Sequence, residues 1–217
     1  MTGLTALLGL AAGAHSIVPV EFEGWRGCWL LSNGHVEAVV APQVGRILCF
    51  RKAGGDNLLW IRPEDKGKTP TEELIRSGGY LNLGGDKLWL SPQARWGWPP
   101  PPSFDGRPHQ AEIAFGQLIM RTERASDGMV LERRIRLAAN SPTMIVQNRM
   151  INDGAVPATW AIWQVAQIVP PTFVELRARP IDEHPVGWSA YPDLAPPAGA
   201  VRKGAGTAVR FVRDPAF

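Results

Sequence analysis

Apolar and polar positions alternate along much of this chain. The clearest case is Met129 to Leu137. Met129, Leu131, Arg133, Ile135 and Leu137 share one face, and Val130, Glu132, Arg134 and Arg136 share the other. A period of two over that length predicts a β-strand with one side toward a core and one toward water. Arg133 interrupts the apolar side, so it is either buried and paired or placed at a strand edge. Further apolar runs of strand length are separated by turn signals. Cys28 to Leu31 and Val36 to Val40 flank Ser32-Asn33-Gly34-His35, and Asn-Gly predicts a hairpin because both residues tolerate positive φ. Arg46 to Arg51 follows Gly45, and Asn57 to Ile61 follows Gly54-Gly55-Asp56. Ala111 to Glu123 reads as one long strand, turned by Ser126-Asp127-Gly128 into the alternating run. Thr143 to Ile151 leads through Asn152-Asp153-Gly154 into Thr159 to Val169. Thr172 to Arg179 and Ala208 to Arg213 follow. One short helix is expected at Thr71 to Arg76, with Thr71 as its N-cap and Glu72 and Glu73 in the first turn. Regularly spaced short strands predict an all-β, antiparallel β-sandwich or a related architecture.

Composition narrows the function classes. Gly 23 and Pro 20 in 217 residues leave little room for long helices. With 45% hydrophobic and 20% charged residues the chain is not disordered. A net charge of +3 is too mild to argue for nucleic acid. No apolar run approaches the roughly 18 residues of a membrane span. Residues 1–16 stand apart. Leu4 to Ala14 is apolar and Ala12-Gly13-Ala14 has the form of a cleavage site, yet no Lys or Arg precedes Arg26. A secretory leader and a loose N-terminal arm both fit; the missing positive flank favours the arm and a cytoplasmic chain. Residues 17–217 read as a single domain. The chain stops just after a strand, which predicts that the sandwich continues past Phe217. Cys28 and Cys49 either pair or sit as small buried hydrophobes, and their spacing fits no metal or redox motif.

The densest chemistry lies in Ser77 to Asp105. This stretch holds two Gly-Gly pairs, Asp86-Lys87, Trp89, Gln93, Arg95, Trp96, Trp98, four consecutive prolines and Asp105. Prolines stiffen a loop, and indole faces interleaved with amide, carboxylate and guanidinium groups suit a pyranose, which has an apolar C–H face and hydroxyl edges. The alternative is a rigid crossover whose tryptophans fill the core, which is the expectation for Trp89. Asp86-Lys87 reads equally as an ion pair pinning a turn. Arg121, Arg124, Arg133, Arg134 and Arg136 form a basic hairpin, expected to be a solvated sheet face. A polyanion site there is the rival. No Gly-x-Ser-x-Gly, phosphate loop or dinucleotide fingerprint occurs, so no cofactor is expected. Asp182, Glu183 and His184 are consecutive and cannot converge on one ion, so no metal is expected.

Three motifs resemble those of a known family. Gly45-Arg46-Ile47 is similar to a "GGRI"-type strand of the aldose 1-epimerases. Gly84 to Pro102 (GGDKLWLSPQARWGWPPPP) resembles uncharacterised galactose mutarotase-like proteins, the DUF4380 group. Asn152-Asp153-Gly154 before an aromatic strand resembles the N-x-G turn of mutarotases. The resemblance spans about Gly24 to Arg179. It implies a β-supersandwich with a sugar site on its concave face, and an acid/base pair of His and Glu acting at the anomeric centre. The strand expected to carry that His is Thr159 to Val165, which has none; Trp163 and Gln164 stand there instead. The family's Glu is expected past Phe217. His109, after the proline run, is the best-placed remaining histidine; His15, His35 and His184 are poorer candidates.

The resulting expectation is a small-carbohydrate site bordered by Arg46, Asp86, Lys87, Gln93, Trp96, Trp98 and Gln164, with His109 as a weak catalytic candidate. Neither nucleic acid nor membrane is expected as a partner. An aldose 1-epimerase-type enzyme and a non-catalytic sugar-binding module are the two readings of that site.

Overall fold

The computed structural model describes residues 15–169, 173–177, 182, 185, 201–203 and 208–212. Residues 1–14, Glu183 and His184 lie outside them, and with them most of the expected leader or arm. The chain divides after Ile168 into two compact units.

The first unit is the all-β sandwich that the strand pattern predicts. One antiparallel sheet has six strands in the order β1 (Ser16–Phe22), β2 (Trp25–Ser32), β3 (Val36–Ala41), β4 (Arg46–Lys52), β5 (Asp86–Ser91) and β10 (Ala161–Ala166). The other has four, in the order β6 (Gln110–Ala114), β7 (Gln117–Arg121), β8 (Met129–Leu137) and β9 (Met144–Asn152). Leu31, Ala38, Val40 and Ile47 of the first meet Leu118, Met120, Ile135 and Leu137 of the second in one buried cluster. The second unit pairs β11 (Phe173–Arg177), β13 (Ala208–Val212) and β12 (Val201–Lys203), in that order.

The six-stranded sheet is covered on both faces. Away from the sandwich interior, Cys28, Val39, Ala41, Leu48 and Cys49 pack against Trp25, Leu81 and Leu83. That is why β3 and β4 read as near-continuous apolar runs while β8 alternates. Cys28 and Cys49 are buried and unpaired, and burial pushes both thiols up, Cys49 to about 11.

The hairpin at Asn33-Gly34 forms as expected, and its Asn does more than turn the chain. Asn33 Oδ1 accepts from the His35 and Val36 amides, while Nδ2 donates to the carbonyls of Ala138 (2.6 Å) and Ser141 (3.0 Å). A turn of one sheet is thereby tied to the β8–β9 turn of the other. The short helix α1 (Glu72–Arg76) starts where predicted, with Thr71 Oγ1 accepting from the Leu74 amide.

Four expectations are corrected. Ala111 to Glu123 is two strands, because Phe115 (φ 52°) and Gly116 (φ 69°) are both left-handed and close a tight turn. Phe115 is 92% exposed at its tip. Asn57 to Ile61 makes only isolated bridges, at Leu59 and Ile61. Ser16–Phe22 forms a strand that the pattern missed, its alternation being blurred by Pro19 and Val20. Asp86–Ser91, read as part of a loop, is a central strand. Its register depends on Gly85 (φ 70°). A Cβ there would lie 2.5 Å from the Ile47 carbonyl oxygen. The Gly85 amide and carbonyl bond Trp60 and Gln167 respectively. Only glycine permits so close a crossing.

Candidate functional site

Pairing of Ile47 with Asp86 and of Ala166 with Asp86 fixes which side chains share a face. Asp86, Leu88 and Gln164 point into the sandwich; Arg46, Lys87, Trp89 and Trp163 point to the opposite, outer face of the six-stranded sheet. The stretches flanking β5, Gly79 to Leu81 before it and Trp96 to Gly106 after it, border an open cleft of about 310 Å³. Tyr80, Trp96, Trp98, Asp105 and the four prolines Pro99–Pro102 are among its walls.

The cleft is held by a polar chain centred on Asp105. Its Oδ1 accepts from Arg46 Nη2 at 2.6 Å. Its Oδ2 accepts from Trp89 Nε1 at 2.9 Å and from the Tyr80 hydroxyl at 3.1 Å. The Tyr80 oxygen in turn accepts from Lys87 Nζ at 2.8 Å. Lys87 also donates to Gln167 Oε1 (3.3 Å) and lies 4.6 Å from the centre of the Trp89 ring. Burial lowers Lys87 to about 8, and Arg46 works in the same direction. Burial and the Asp105 charge push the Tyr80 hydroxyl up, so it stays protonated as a donor. Burial opposes the Arg46 charge, but Asp105 and Tyr80 together outweigh it and the guanidinium stays ionised. Arg46 Nε and Nη1 have no protein partner among the described residues.

Aromatic packing makes the walls rigid. Tyr80 and Trp98 meet edge to face at 4.9 Å, and Trp89 touches Trp96 at 5.8 Å and Trp163 at 5.3 Å, both edge-on. Trp96 Nε1 donates to the Leu90 carbonyl at 2.8 Å. Trp98 is 61% exposed, while Trp89 is 5% exposed.

The residues expected at one site therefore divide. Trp96 and Trp98 line the cleft. Arg46 and Lys87 stand behind it, positioning Asp105 and Tyr80. Gln93 lies in a short turn and donates to the Gly97 carbonyl at 3.2 Å. Asp86 and Gln164 belong to a different cluster inside the sandwich. There Arg133 is buried and paired: it bonds both the Asp86 carboxylate and, at 3.0 Å, the Asp86 carbonyl. Gln164 donates to Asp86 Oδ2 at 2.8 Å and accepts from Asn148 at 2.9 Å, and Asn148 accepts from Arg133 Nε at 3.2 Å. Asp86-Lys87 is thus neither a turn-pinning ion pair nor a joint ligand site, because neighbours on a strand face opposite ways. Arg133 leaves the basic hairpin for the same reason. Of the rest of that hairpin, Arg124 pairs with Asp153, while Arg121 and Arg134, joined by Arg149 of β9, reach Glu132 within 3.0 Å. Burial opposes the charge of Glu132, yet those guanidiniums hold it at about 2.

His109 is partly buried against Gly45, where a Cβ would run into the imidazole. Its Nδ1 lies 3.2 Å from the Arg107 carbonyl. It is absent from the cleft walls. Burial lowers its pKa from 6.5 to about 4, with Arg133 and Arg46 adding to the effect and Asp105 opposing it. Below 6.5 the unfolded chain takes up a proton that the folded chain does not. Stability is therefore expected to fall as pH drops from 6.5 toward 4, by up to about 3 kcal/mol from this group. Denaturation midpoints of wild type and His109→Gln across that range test this. Parallel curves would show that the imidazole protonates freely.

Sequence reasoning missed Tyr80, and it named Asp105 in the dense stretch without carrying it into the expected site; these are the two polar members of the cleft. The available signal was weak: Tyr80 is one of only two tyrosines, and it follows Gly78-Gly79. No protein-family model matches the chain, and no curated protein or solved structure matches it. The likeness to mutarotases rests on the three motifs alone.

Proposed function

We propose that this protein binds a carbohydrate, with one pyranose ring seated in the cleft beside Trp98. The observation that supports this reading is the convergence of Tyr80, Trp96 and Trp98 with the Asp105 carboxylate on one open cleft of about 310 Å³. That volume is at the small end of ligand sites and suits a single ring. An ionised carboxylate has about four acceptor positions. Arg46, Trp89 and Tyr80 occupy three, leaving one for a sugar hydroxyl. The proline run keeps Trp98 in place before binding, which limits the entropy lost on stacking.

Binding without anomeric chemistry is the reading the cleft favours. Opening a hemiacetal needs one group that donates a proton and one that accepts it near neutral pH. Tyr80 is held protonated, and Asp105 is already charge-paired. Trp98→Ala is expected to weaken binding of D-glucose or D-galactose by about 1–2 kcal/mol, roughly five- to thirtyfold. Added salt should change little, because no net charge is exchanged. Tryptophan fluorescence titration measures both. Unchanged affinity in Trp98→Ala would remove the cleft as the site, and faster optical-rotation decay of fresh sugar would restore the mutarotase-type enzyme reading.

A further inference from the structure

A second hollow, of about 210 Å³, adjoins the first. Arg95, Ser103, Asp127 and Trp160 stand on its walls, and Trp96 and Pro101 line both hollows. We infer that the site takes an oligosaccharide: one ring beside Trp98, the next against Trp160, and the linkage crossing the ridge of Trp96 and Pro101. This rests on the sugar reading of the first cleft and names its ligand class.

Three observations carry it. The ridge is fixed, because Trp96 is tied by its indole N–H to Leu90 and wedged beside Trp89 and Trp163. The two hollows therefore keep their spacing and cannot merge into one large pocket. The second hollow repeats the chemistry of the first, an indole wall with polar groups at its rim. Its Trp160 ring is braced by the Arg95 guanidinium 5.0 Å from the ring centre, with Arg95 also bonded to the Thr159 carbonyl. Finally, its walls carry one cation, Arg95, and one anion, Asp127. Opposite charges on one small hollow select against an ion and suit a neutral polyhydroxylated ring.

The test compares D-glucose and D-galactose with cellobiose, cellotriose, maltose, maltotriose and lactose by calorimetric titration of the full chain. At least one di- or trisaccharide is expected to bind about tenfold or more tightly than its parent monosaccharide, the increment of one additional stacked ring. Trp160→Ala should abolish that gain and leave monosaccharide affinity unchanged. Ser103→Trp, which fills the second hollow without emptying a packed position, should do the same. Monosaccharide binding that needs Trp98, with no gain from any longer sugar, would overturn the extension and leave the first reading standing. A gain that survives both Trp160→Ala and Ser103→Trp would also overturn it. Failure of every sugar to bind would remove both readings together.

Discussion

Asp105→Ala is expected to cost about 3–5 kcal/mol of folding stability, the usual range for breaking a buried ion pair by removing one partner. Arg46 is fully buried, and its pairing to Asp105 at 2.6 Å is its only ionic contact among the described residues. Without the carboxylate, a guanidinium is stranded in the interior with most of its donors unmet. Trp89 Nε1 and the Tyr80 hydroxyl lose their acceptor in the same step. The cleft should therefore fail along with stability, since Tyr80 and Asp105 both form its walls. Asp105→Asn separates the two effects: it keeps the shape and one acceptor oxygen but removes the charge, and should fall between wild type and alanine. Urea denaturation followed by tryptophan fluorescence reads the change as a shift in midpoint at constant slope. A loss below about 1 kcal/mol for Asp105→Ala would mean that water reaches and solvates the Arg46 charge on the outer face.

Inside the sandwich, Asp86→Ala should be comparably damaging, again about 3–5 kcal/mol, because Arg133 would keep only Asn148 and a backbone carbonyl. A double replacement gives the sharper expectation. In Asp86→Leu with Arg133→Met neither charge of the pair is left stranded, so most of the stability lost by either single change should return. Denaturation midpoints of the two single variants and the double variant complete the cycle. If the double variant loses as much as the sum of the singles, the two side chains act independently and the cross-sheet pair contributes nothing as a pair. Binding of a sugar in the outer cleft should survive the double change, since Asp86 and Arg133 face away from it.

These expectations show why residue types were easier to find than their grouping. Asp86, Lys87, Trp96 and Trp98 stand out as polar or aromatic residues in a glycine- and proline-rich stretch, Arg46 through the Gly45-Arg46-Ile47 motif, and Gln164 on the aromatic strand after Asn152-Asp153-Gly154. All six make hydrogen bonds or ring contacts within the protein, whereas Gln93 bonds only the nearby Gly97 carbonyl among the described residues. Yet Asp86 and Lys87, adjacent in sequence, serve opposite faces of the sheet. That separation follows once Asp86–Ser91 is known to be a strand, and the flanking Gly84-Gly85 and Pro92 disguised it as a loop. Asp105 drew less attention than it merits because a lone aspartate after four prolines resembles an ordinary turn residue. Its three donors come from residues 46, 80 and 89, so no local window contains the constellation.

Local pattern by itself determined the all-β class, the Asn33-Gly34 and Asp127-Gly128 turns, the capped helix at Thr71 and the inward side of Met129 to Leu137. Each depends on backbone preferences and side-chain alternation within a few residues, which the order of amino acids expresses directly. Only the tertiary structure decided that Arg133 is neutralised by Asp86 across the sandwich, that Asp105 gathers Arg46, Tyr80 and Trp89, and that Trp96 divides two hollows. Those facts depend on charges and rings from distant segments meeting where water is excluded. There the low dielectric makes a correct partner decisive, and nothing within a single stretch of chain specifies which partner will arrive.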